Sequence, residues 1–135
     1  CWRVWLSGRR VMVEPRSKVY HLGGATLSTD SPFKTMLNHR NNLAMLFRCA
    51  SPAQRLLVAV VRPFTDMAEA FGYLLTFRPR MSWSVVKAWW EFIKWHKELS
   101  AKRKAVVRKT KVQGIYSGSI VLRYIFGGRQ FKDMM

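Results

Sequence analysis

The sequence predicts an α/β chain: two short strands, then a mainly α-helical, amphipathic C-terminal region. Three observations carry this. Val11-Met12-Val13, ended by Pro15, and Lys18-Val19-Tyr20-His21 read as extended pieces before the Gly23-Gly24 loop signal. Ser31-Pro32 and Ser51-Pro52 each place a capping hydroxyl before a proline, the pairing that opens helices. Apolar residues then recur at helical spacing through most of the second half.

Taken in order, Cys1 to Val11 reads as the tail of a helix that crosses a turn at Gly8 into the first strand. The chain opens on Cys1 in the middle of an element, so a preceding segment is expected. After Ser31-Pro32, Phe33, Met36, Leu37, Leu43, Ala44 and Phe47 form a helical stripe. The helix from Ser51-Pro52 is apolar, and Pro63 is expected to end or kink it, because proline removes a backbone donor and crowds the preceding turn. Phe64 to Phe77 reads as a further apolar helix, closed by Arg78-Pro79-Arg80. Ser82 or Ser84 is expected to cap the next helix. Its apolar face takes Val85, Val86, Trp89, Trp90, Phe92, Ile93 and Leu99. Lys87, Glu91, Lys94 and Glu98 fall opposite at steps of three and four, where each ion pair contributes about 0.2–0.5 kcal/mol. A cationic run from Lys102 to Lys111 follows, then Gly114, an apolar segment from Ile115 to Phe126, and Gly127-Gly128. The expected division is 1–30, the end of an α/β domain, and 31–135, a helical, basic, membrane-surface region.

Bulk composition narrows the partners. The 135 residues include 24 Lys and Arg against 7 acids, a net charge of +17, with 6 Trp, 8 Phe and 7 Met. Such a chain seeks polyanions, and cations joined to bulky apolar groups suit an anionic membrane interface. No apolar run reaches the roughly 18 residues of a spanning helix. Leu56 to Val61 is stopped by Arg62-Pro63. Cys1 and Cys49 lack metal-ligand or CxxC spacing and read as reduced thiols.

Cys1-Trp2-Arg3, Gly8 before a strand, Pro15, and Val19-Tyr20-His21-Leu22-Gly23-Gly24-Ala25-Thr26 together resemble the end of the catalytic domain in family two (GT-A type) glycosyltransferases, in the branch similar to rhamnosyltransferases. Asn38-His39-Arg40-Asn41-Asn42 is similar to that family's later H/Y-x-x-R-N helix, and Lys102-Arg103 through Arg108 to its basic terminal segment. The resemblance implies that the chain is the C-terminal portion of an enzyme transferring a sugar from a nucleotide-sugar donor to a glycan or lipid-linked acceptor. It implies a short two-strand end of the GT-A domain. The catalytic base and the acidic motif for a divalent cation, Mg or Mn, would precede Cys1, so the piece alone is expected to be inactive. No residue of this chain is assigned as catalytic, and Glu14 and Asp30 do not occupy the family's acidic positions.

The resemblance also implies site residues. His21 would meet the cation or the donor diphosphate, or else anchor its loop through backbone bonds. Gly23 and Gly24 would bring N–H groups toward a phosphate, or form a plain turn. In that family an acidic pair precedes the helix that Trp2 and Arg3 would occupy, where Arg3 would reach a phosphate or an acid while Trp2 and Trp5 suit core packing. Arg40, beside His39 and Asn41, contacts donor or acceptor, or belongs to a solvated helix face.

An alternative stays open: a non-catalytic basic protein of membrane surfaces or nucleic acid. The charge supports nucleic-acid binding. Against it, no nucleic-acid motif is present, and the cations are interleaved with a Trp and Phe face. The expected location is peripheral, on the cytoplasmic face of the cell membrane.

Overall fold

The computed structural model describes residues 1–20 and 30–108. It is mainly helical: α1 spans Trp2–Leu6, α2 Pro32–Cys49, α3 Pro52–Leu75, α4 Pro79–Lys94 and α5 His96–Lys104. Residues 1–12 and 13–106 fall in separate compact units.

In the first unit, α1 ends at Ser7, whose hydroxyl donates to the Val4 carbonyl (2.7 Å), and Gly8 follows at φ 75°. That left-handed backbone costs glycine little, and it supplies the turn read from the sequence.

The helical C-terminal region agrees with the sequence. The two strands do not: no strand occurs among the described residues, and 11–13 and 18–20 are irregular. A strand persists only where its backbone N–H and C=O groups find a neighbouring ladder. Met12, Val13, Val19 and Tyr20 are instead largely exposed.

Both Ser-Pro starts form as read. Ser31 accepts from the Lys34 N–H at 3.4 Å, and Ser51 and Gln54 exchange side-chain and backbone bonds in a capping box. Pro63 does not end its helix: α3 runs unbroken through it to Leu75. An interior proline costs about 3 kcal/mol. Burial of Asp66 and Ala70, one and two turns beyond it, holds the second half of the helix in place.

α3 closes in a Schellman motif. The Arg78 N–H donates to Tyr73 (2.8 Å) and the Phe77 N–H to Leu74 (3.0 Å), with Phe77 at φ 55°. Glycine is the usual residue there, because a side chain in the left-handed region costs about 1–2 kcal/mol. This closure sets the start of α4 at Pro79, one turn earlier than the sequence reading. Ser82 and Ser84 are therefore buried inside α4 rather than capping it, and the Ser84 hydroxyl donates to the Arg80 carbonyl at 2.8 Å.

In the second unit, α4 packs against both α2 and α3. Its Ala88 is fully buried and Val85 nearly so, small side chains that let three helices approach. Met36, Leu43, Ala44, Ala50, Met81 and Leu99 complete the core. The predicted apolar face of α4 thus divides: Val85, Trp89 and Phe92 turn inward, while Val86, Trp90 and Ile93 remain exposed. Of the predicted ion pairs, Glu91–Lys94 forms at 3.7 Å, and Glu98 pairs with Lys102 on α5.

Arg103 ties α5 back to α2. Its Nη1 donates to the carbonyls of Phe47 (2.6 Å), Arg48 and Ala50 (both 3.2 Å), neutralising the negative end of α2.

Gly72 lies inside α3, and a Cβ built there meets nothing within 4 Å. Gly72→Ala is expected to stabilise the unit by about 1 kcal/mol, raising the melting temperature by roughly 4–8 °C in thermal scans followed by circular dichroism.

Candidate functional site

Two features of the second unit combine chemistry with position. The first is a buried polar network across three helices. Asp66 of α3 is 2% exposed. Its Oδ1 pairs with Arg62 Nη2 at 3.0 Å, and its Oδ2 accepts from Trp89 Nε1 of α4 at 2.9 Å. His39 of α2 sits between two carboxylates, with Nδ1 3.5 Å from Asp66 Oδ1 and Nε2 3.3 Å from Glu69 Oε1. Tyr73 donates to that same Glu69 oxygen at 3.2 Å.

His39, Asp66 and Glu69 bring one ligand atom each within 4.8 Å of one another, close enough to consider a cation. The donor set argues otherwise. Both Asp66 oxygens already face donors, one of them the positive Arg62, and Glu69 Oε1 accepts from Tyr73. The two imidazole nitrogens lie on opposite edges of the ring: Nε2 bonds Glu69, while Nδ1 faces Asp66 without a hydrogen bond. The group is a hydrogen-bonded brace between α2, α3 and α4.

Burial, followed by the Glu69 charge and hydrogen bond, raises the Tyr73 phenol above its ordinary 10.0; the Arg78 guanidinium near the ring opposes this. A raised folded-state value means the folded form holds the proton more tightly. The contribution is therefore fully present below pH 10 and is lost as pH rises beyond it. Urea unfolding at pH 9 and pH 11 is expected to show a steeper loss for the native chain than for Tyr73→Phe.

The second feature is an exposed apolar surface. Along α3, Leu56, Leu57, Val60, Val61, Phe64, Met67, Phe71, Leu74 and Leu75 are 44–74% exposed and form one uncharged stripe. On α4, Val86, Trp90 and Ile93 are exposed as well. Met67 and Val86 border the same small cavity of about 110 Å³ between α3 and α4, which joins the two stripes. Lys94 Nζ lies 5.4 Å from the Trp90 ring centroid, placing a cation at the rim. Among the described residues, no helix is long and apolar enough to cross a membrane.

The residues singled out from the sequence land separately. Trp2, half-buried, and exposed Arg3 lie on α1 in the first unit. Arg40 lies on α2 in the second, half-buried, with its guanidinium 4.3 Å from the Trp95 ring centroid and bonded to Asn41 Oδ1 at 3.1 and 3.3 Å. His39, beside it, is buried, while Asn41 and Asn42 are exposed. His21, Gly23 and Gly24 lie outside the described residues, as does everything beyond Arg108. Sequence reasoning missed the Asp66 brace. Its signal was an Asp and a Glu at i, i+3 within an otherwise apolar helix, a place where acids need partners.

Comparison with models of protein families, with curated proteins and with solved structures gave no match.

Proposed function

We propose that this chain is the C-terminal portion of a family two, GT-A type glycosyltransferase of the rhamnosyltransferase-like branch, and that its helical unit holds the enzyme on an anionic membrane surface. The Cys1-Trp2-Arg3 and Val19 to Thr26 motifs support the family reading, together with Arg40-Asn41. On this reading the base would be a carboxylate outside these 135 residues that takes the acceptor hydroxyl proton in an inverting displacement, and a divalent cation would supply charge stabilisation for the leaving diphosphate. The family reading assigns substrate binding to Trp2, Arg3, Gly23, Gly24 and Arg40, and contact with the cation or diphosphate to His21. Arg40 already stacks on Trp95, so a role for it in substrate binding requires substrate to reach its exposed edge.

The membrane reading rests on one observation: α3 presents an uncharged apolar stripe at the surface of a chain whose net charge is +17. In water such a face is costly to leave open. At a headgroup layer the apolar groups enter the boundary, while each nearby Lys or Arg contributes about 1 kcal/mol against anionic lipid. A peripheral enzyme on the cytoplasmic face would thereby meet a lipid-linked acceptor at the surface where it resides.

Two experiments test the proposal. The 135-residue chain is expected to float with vesicles of phosphatidylcholine plus phosphatidylglycerol, to remain behind with phosphatidylcholine alone, and to be released as salt rises. Equal flotation with both removes the charge argument. The gene upstream of the Cys1 codon is expected to encode a nucleotide-sugar domain ending in an acidic pair; a stop codon there ends the enzyme reading.

A further inference from the structure

α2 and α4 run in the same direction. Thr35 meets Met81 near their starts, with Oγ1 3.9 Å from Sδ, and Phe47 meets Phe92 near their ends. Both helices therefore begin at one end of the unit, where α3 also ends and its negative pole partly offsets their positive ones. Between these starts lies a cavity of about 520 Å³. Phe33, Met36 and Trp83 give it apolar walls, and Arg80 and Lys87 line it as well. Phe33 and Trp83 are 55% and 66% exposed, large aromatic surfaces facing solvent.

With 24 Lys and Arg against 7 acids, the acids are too few to partner most cations of the chain; this place sets two of them beside apolar walls. Nearby Arg78 is held by Asp30 at 2.7 Å, Arg62 by Asp66, Lys94 by Glu91 and Lys102 by Glu98. Arg80 and Lys87 have no acidic partner among the described residues, and no carboxylate lines the cavity. Two unpaired cations, two helix starts and aromatic walls complement one ligand chemistry, an anion carrying a hydrocarbon chain. A free phosphate would leave the walls unused, and a neutral amphiphile would leave the cations unused. Two residues before Pro79 at the cavity edge, Phe77 is 93% exposed in its left-handed conformation, an apolar group placed against solvent at that same end.

We infer that the groove between the starts of α2 and α4 binds one anionic phospholipid, its phosphodiester on Arg80 and Lys87 and its acyl chain against Phe33, Met36 and Trp83. This deepens the membrane reading and rests on it, by giving the surface a specific lipid site in addition to a general apolar face.

The test uses the full chain labelled with 5-fluorotryptophan, whose six tryptophans give separate fluorine resonances, that of Trp83 assigned from Trp83→Phe. Monomeric dihexanoyl-phosphatidylglycerol is expected to shift the Trp83 resonance saturably, and the Arg80→Gln/Lys87→Gln variant to bind at least about tenfold more weakly, having lost two charge-assisted contacts. Both residues are exposed and lack acidic partners, so that variant is expected to melt like the native chain. Dihexanoyl-phosphatidylcholine and inorganic phosphate are expected to leave Trp83 unmoved. An equal response to phosphatidylcholine overturns the role of the cations, and an equal response to phosphate overturns the lipid. If Trp83 stays silent while the chain still floats with anionic vesicles, the groove site is wrong and the membrane reading stands.

Discussion

Asp66→Ala is expected to destabilise the helical unit by about 3–5 kcal/mol, the cost of breaking a buried ion pair from one side. Asp66 is 2% exposed and answers two groups at once, Arg62 and the Trp89 indole N–H, with His39 Nδ1 3.5 Å away. Removing its carboxylate strands a half-buried guanidinium and an indole donor in the interface of α3 with α4. Against a total stability of about 5–15 kcal/mol, such a loss lowers the melting temperature by roughly 12–40 °C. Two companion variants make the result diagnostic. Asp66→Asn keeps an oxygen for Trp89 and is expected to lose less. Arg62→Met with Asp66→Leu removes both charges and is expected to recover much of the stability, because no uncompensated charge remains. Urea unfolding followed by circular dichroism reads all three. A loss for Asp66→Ala below about 1 kcal/mol would show that water reaches the carboxylate and that the brace is not holding the helices.

The brace also shows where sequence reading stops. Helix starts were legible at Ser31-Pro32 and Ser51-Pro52 because a cap is a local device, complete within four residues. The fate of Pro63 was not legible. Its local cost argues for a break, and what outweighs it is burial of Asp66 and Ala70 against a helix some twenty residues later. The start of α4 was misread for a related reason. Ser82 and Ser84 look like caps in isolation, but the closure of α3 through Phe77 and Arg78 commits the chain to helix from Pro79. The strand readings at 11–13 and 18–20 failed on the same principle, since a strand is a property of a pair of segments and these are exposed. For the candidate surface, periodicity announced an apolar stripe on α4 without showing that Val85 and Trp89 would turn inward while Val86 and Trp90 faced out. That division depends on where α2 and α3 sit, which no single helix encodes.

Leu57→Glu, Phe64→Glu and Phe71→Glu combined are expected to abolish flotation with anionic vesicles while leaving the melting temperature within a few degrees of the native chain. The three residues follow one another at seven-residue spacing on the exposed stripe of α3. None belongs to the buried core, and glutamate is a good helix former, so folding loses little. Membrane affinity loses much more. Fully burying one such side chain is worth about 1.5–3 kcal/mol, so even partial insertion of three gives about 3 kcal/mol, on the order of 100-fold in affinity. Three new negative charges facing anionic lipid deepen the loss. The pairing of readouts matters, because a variant that merely unfolded would lose flotation together with its helicity. If the triple variant floats as well as the native chain and melts normally, the stripe does not meet lipid. The cations alone must then hold the membrane, and the exposed face of α3 must be reassigned to contact with protein.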